Sequence, residues 1–237
     1  MLSDSNRSDE IYKLLTDKAC LKQKIFDNTL EVFRMIKEVS RELEDEYNSK
    51  LKEHDKRVML RYRNAGTFQC ELKVAGDLLV FNMHTNIFQF NREHKIWQHP
   101  YIRRDRNATY SGIISIYNFL ADSFKYNRTE DVGYLIARIF INKDMFFFVE
   151  GKQQIAYLSS VFGNEKIDKS HVREILEAAI LYALKFDLLV PPYDAVKVVS
   201  VEQILEQRKL GVPTGKRLGF SFNSDDIEGE KLLYSGG

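Results

Sequence analysis

Glu150-Gly151-Lys152 closes the apolar run Met145–Val149. An acid and a lysine two residues apart at a strand end can hold a divalent ion and orient an attacking water, provided a neighbouring strand supplies a second carboxylate. Pairing the hairpin about Asn142-Lys143-Asp144 puts Glu150 opposite Ile136, with Arg138 as its diagonal neighbour. At about 3.3 Å per residue, Asp144 then lies roughly 20 Å from Glu150 and Asp131 roughly 17 Å away. Only Asp77 or Asp105, from distant strands, would complete a metal-dependent nuclease site. The Glu-x-Lys triplet also recurs at Glu71-Leu72-Lys73 and Glu93-His94-Lys95, so it carries little information. The expected role of Glu150 is an ion pair with Arg138.

Three further clusters invite chemistry. His84, His94 and His99 are separated by ten and five residues, whereas sheet-borne metal sites commonly take two ligands from one short motif. They read as turn and edge histidines, and no metal ligand set is expected. Gly211-Val-Pro-Thr-Gly-Lys-Arg has one residue too few between its glycines for a phosphate loop, and Arg217 stands where Ser or Thr would hold magnesium. It reads as a turn. Arg103, Arg104 and Arg106 are flanked by Tyr101 and Tyr110, a mixture of guanidinium forks and rings that suits an anion or a nucleotide. Arg61 and Arg63 would join them if their strand were adjacent. These five arginines form the candidate ligand site, and no catalytic residue is assigned.

The elements that must position these residues follow from periodicity. No glycine precedes Gly66 and no proline precedes Pro100, so residues 1–56 form an N-terminal helical segment. Its apolar stripe is Leu21, Ile25, Val32, Ile36, Val39, Leu43 and Tyr47. Unbroken, such a helix would reach on the order of 70 Å. Either it breaks near Lys18 or Asn28 and packs on itself, or it projects and pairs with its copy in a homodimer. From Arg57 the period becomes two, and Cys70, Leu72 and Val74 alternate with Gln69, Glu71 and Lys73, as in a half-wet antiparallel strand.

Further strand candidates are Leu78–Phe90, Trp97–Arg103, Thr109–Tyr117 and the hairpin Tyr134–Ile141 with Met145–Val149. Phe119–Tyr126 would be a short linking helix. The sheet should hold five to seven strands over residues 57–152. A helical cap follows over 153–210, with Asp168 or Ser170 as an N-cap. Residues 211–237 would add a strand at Leu218–Phe222 and a tail. The fold class is α+β: a long N-terminal helical segment, a central mostly antiparallel sheet and C-terminal helices, with 57–237 as one domain.

Composition bounds the function. The chain of 237 residues is 44% apolar and 29% charged, a globular balance. Its net charge is +1. The distribution is uneven: residues 1–56 carry 11 basic and 13 acidic side chains, 57–106 carry 9 and 4, and 107–237 carry 15 and 17. A basic sheet region suits nucleic acid, a phosphorylated small molecule or an acidic surface. With two lone cysteines, no apolar run of membrane-spanning length and no apolar leader, the protein is expected in the cytoplasm. A long helix feeding an antiparallel sheet with a basic face is similar in outline to PAS- or GAF-like sensory modules, a likeness of architecture alone. It implies a non-catalytic regulatory or ligand-binding protein taking an anionic small molecule. The alternative is a nucleic-acid-binding protein or metal-dependent nuclease using residues 57–106 with Glu150 and Lys152.

Overall fold

The computed structural model describes residues 4–152, 155, 162–187, 190, 192–202, 204 and 205. The chain opens with one unbroken helical rod. It comprises α1 (Asp4–Lys13), a π-helical stretch (Leu14–Ala19) and α2 (Cys20–Lys50). There is no break at Asn28, and at Lys18 the helix widens without ending. The Thr16 hydroxyl donates to the carbonyls of Tyr12 and Lys13 at 3.0 and 3.2 Å, occupying acceptors at the start of the widened stretch. Ile25, Val32, Phe33, Ile36, Val39 and Leu43 are buried, as the stripe requires, whereas residues 6–18 are exposed. The rod therefore projects beyond the body it packs on.

The remaining strands and helices are β1 (Arg61–Asn64), β2 (Gln69–Val74), β3 (Asp77–Met83), β4 (Phe88–Gln89), α3 (Pro100–Arg104), β5 (Tyr110–Leu120), α4 (Ala121–Lys125), β6 (Tyr134–Asn142), β7 (Phe147–Gly151), α5 (Lys169–Lys185) and α6 (Tyr193–Val196). Seven strands form one antiparallel sheet in the order β1-β2-β3-β5-β6-β7, with β4 also on β5. Asp168 caps α5, its carboxylate accepting from the His171 amide at 3.0 Å. The expected helical cap over 153–210 lies partly outside the described residues. The Gly211–Arg217 turn and the Leu218–Phe222 strand lie wholly outside them.

α2 and α5 cover one sheet face. Cys70, Leu72, Leu79, Phe81, Ile114, Ile116, Ile139 and Phe147 pack there against the α2 stripe and Val172, Ile175, Leu176 and Ala179 of α5. Gly112 sets how closely α2 can approach. A Cβ at that position would stand 2.0 Å from Thr29 Oγ1, so only glycine admits the helix at this depth.

Three expectations need correction. Leu78–Phe90 is not one strand but β3 and β4, parted by residues 84–87. Trp97–Arg103 is not a strand: a 3-10 turn (Lys95–Gln98) leads into α3, with Pro100 at its first position. His94 and His99 favour these turns because Nδ1 of each accepts an amide two residues on, from Ile96 at 3.2 Å and Tyr101 at 3.4 Å. The hairpin register also differs, since Arg138 lies directly opposite Glu150. The loop holds three residues, and Met145 takes a left-handed φ of 64°, which lengthens the β7 side by one residue relative to a simple turn.

Candidate functional site

The sheet face away from the helices is covered only in part. Residues 84–109 fold over its β5–β7 end, where Ile96, Ile102, Trp97 and Tyr101 meet Phe146, Phe148 and Phe162. Toward β1 the face is open. There a groove of about 1060 Å³ runs between β1–β3 and α4.

The hairpin turn and α4 build the groove. β2 and β3 join through Ala75 and Gly76, with Ala75 at φ 50°. The Gly76 carbonyl accepts the Ala121 amide at 2.9 Å, which seats α4 against the turn as the far wall. The apolar lining is Val58, Leu78, Leu120 and Phe124. The cationic lining is Arg57, Arg61, Arg63, Lys73 and Lys125, against the carboxylates of Glu71 and Asp122.

Each cation has a different degree of commitment. Arg57 is held by Asp55 through its Nε and Nη2, and this hydrogen bonding holds the Asp55 carboxyl at about 2. Lys73 donates to the Ala75 carbonyl at 2.6 Å, steadying the turn. Arg63 grips Glu71 with two bonds of 2.7 and 2.6 Å. The Glu71 side chain is only 4% exposed while that of Arg63 is 65% exposed, so the guanidinium reaches the groove rim with one edge unused. Arg61, exposed on β1, has no carboxylate partner among the described residues. It is the cation most available to an incoming anion.

Of the five arginines predicted from sequence, the structure brings Arg61 and Arg63 together on β1. It does not bring Arg103, Arg104 and Arg106 to them. Arg103 and Arg104 are exposed on α3 and Arg106 on the following 3-10 turn, and none lines the groove. β1 is an edge strand separated from β5 by β2 and β3, so the adjacency condition is not met. Lys73, Lys125 and Arg57 were missed. The alternation of Glu71 with Lys73 placed Lys73 on the wet face, but that Lys125 returns to this wall depends on the β3–β5 pairing.

The other sequence motifs find partners. Glu150 accepts from Arg138 Nε at 2.8 Å, the expected ion pair. Asp105 pairs with Lys143 at 2.7 Å. Asp144 accepts the Tyr101 hydroxyl at 2.5 Å, and burial together with this carboxylate pushes the phenol up. The ring thereby ties α3 to the β6–β7 turn. His84 Nδ1 accepts the Asn86 amide at 3.0 Å. No group of three or more His, Cys, Asp or Glu side chains is arranged to hold a metal ion among the described residues. No helix among them is long and apolar enough to cross a membrane. Comparison with models of protein families, with curated proteins and with solved structures gave no match.

Proposed function

We propose that this chain is a non-catalytic regulatory protein that binds an anionic ligand in the groove between β1–β3 and α4. The observation that carries this reading is five cations over an apolar lining, with Arg61 uncommitted to any described carboxylate. Guanidinium groups on a rigid strand suit a phosphate or carboxylate, because their donors are preorganised, while Leu78 and Phe124 would take an apolar body. Both cysteines are free thiols, in keeping with a reducing compartment, and the reading places the protein in the cytoplasm. An anilinonaphthalene sulfonate titration tests it, since that probe joins an anion to an apolar ring system. The wild type should bind, and Arg61→Ala with Lys73→Ala should weaken binding at least tenfold. Equal binding by the double variant would place the probe elsewhere and end this reading.

A second element of the reading is a homodimer through the projecting rod. Ile11, Leu14 and Leu15 lie at helical spacing and are more than half exposed, with Tyr12 beside them. Four such side chains make a patch of a few hundred Å², below the roughly 800 Å² per partner of a stable interface. The self-association we propose is therefore reversible and depends on concentration.

A further inference from the structure

We infer that the open sheet face binds single-stranded nucleic acid; this deepens the groove reading and rests on it. Three consecutive rows of side chains cross the face. The first runs Arg61, Lys73, Leu78, Phe119 through paired positions on β1, β2, β3 and β5. The second runs Arg63, Glu71, Val80, Tyr117, Leu135. The third is wholly polar: Gln69, Asn82, Ser115, Arg138, Glu150. Cations thus stand at one side of the face, rings in its middle, and amide and hydroxyl groups with the Arg138–Glu150 ion pair along one flank.

This is the division of labour a single strand needs. Phosphates take the cations, bases stack on rings, and side-chain amides and hydroxyls reach base edges. Phe124 is the exposed ring; Tyr117 and Phe119 are half-buried, and Phe119 packs against Gly133 and meets Phe124 edge-on at 5.1 Å between centroids. With strands about 4.8 Å apart, Arg61 and Phe119 are separated by roughly 14 Å, and the polar row spans about 19 Å. One small ligand would not engage both, and a groove of about 1060 Å³ already sits at the upper limit for small-molecule sites. The face is recessed between α4 and the 84–109 cover. A duplex is read by a protruding helix or ribbon that enters its groove, so the occupant is a single strand.

The test is fluorescence anisotropy with a labelled oligothymidylate and oligouridylate of about a dozen nucleotides, compared with a duplex of equal length and a polyglutamate peptide. Anilinonaphthalene sulfonate serves as the small-anion control. Single strands should bind at least tenfold tighter than duplex or peptide, with affinity falling as salt rises from about 50 to about 200 mM. Arg61→Ala should reduce the log–log salt slope by about 0.7. Phe124→Ala, on the exposed rim, should cost about 5- to 150-fold and leave that slope unchanged. Circular dichroism confirms that each variant folds. Binding of the sulfonate without binding of either oligonucleotide would overturn this inference and leave the groove reading standing. Equal affinity for duplex or for polyglutamate would overturn it as well, and failure of every probe would overturn both.

Discussion

Glu71 places a buried carboxylate on the open face, where Arg63 neutralises it. Arg63→Ala should lower unfolding stability by about 1–3 kcal/mol in urea titrations, and Arg63→Ala with Glu71→Gln should recover part of it. If the single variant is as stable as wild type, water rather than Arg63 satisfies Glu71. The two cysteines provide an independent check on burial. Cys70 is enclosed, and burial pushes its thiol up to about 12, whereas Cys20 is exposed. Native protein should take up one equivalent of iodoacetamide by mass spectrometry and denatured protein two. Sequence alternation made Cys70 legible as a core residue. The Arg63–Glu71 pairing was not legible, because the β1–β2 register is fixed by the loop at residues 65–68 and not by any pattern within either strand.

Between elements, a ladder of ion pairs sets how α2 and α5 slide on one another. Lys169 bridges Glu38 and Glu42 at 3.1 and 2.6 Å, and Arg173 bridges Glu46 and Glu177. Lys50 and Arg173 hold the Glu46 carboxyl at about 2, below its usual 4.5. A carboxyl depressed in the fold stabilises it above the unfolded value, and that contribution is lost as pH falls from 4.5 toward 2. Thermal unfolding should therefore show a fall in melting temperature across that window that is shallower in Glu46→Gln; identical slopes would refute the assignment. The pairs are solvent-exposed, so added salt should shrink the difference.

Helix α2, the β6–β7 hairpin and the α5 cap could all be read from periodicity. Trp97–Arg103 could not, since its aromatic and β-branched content mimics a strand while two histidine side chains and Pro100 turn the backbone locally. Gly112 shows the same limit. Its glycine is visible in the sequence, but its reason, Thr29 on the overlying α2, is not. Gly112→Ala should cost about 1–3 kcal/mol in urea by lifting α2 off β5.

The described residues form a two-faced sheet with a rod extending past it. Light scattering on size-exclusion chromatography should show mass rising with concentration. Leu14→Glu with Leu15→Glu should hold the mass at the monomer value, and a wild-type mass that never rises would remove the dimer. The π-helical stretch decides where such a partner would sit. A π turn holds one residue more than an α turn, so Ile11, Leu14 and Leu15 are out of phase with the stripe on α2 by about 100°. The apolar side of the overhang is thus steered away from the direction in which α2 meets the sheet. Leu14–Ala19 works as a phase shifter: deleting one residue there, such as Asp17, would let the stretch close as α-helix with the overhang on its present bearing, whereas rewinding all six residues as α-helix would swing it by that angle. In the second case the partner's bearing would change while every contact in the core stayed as it is.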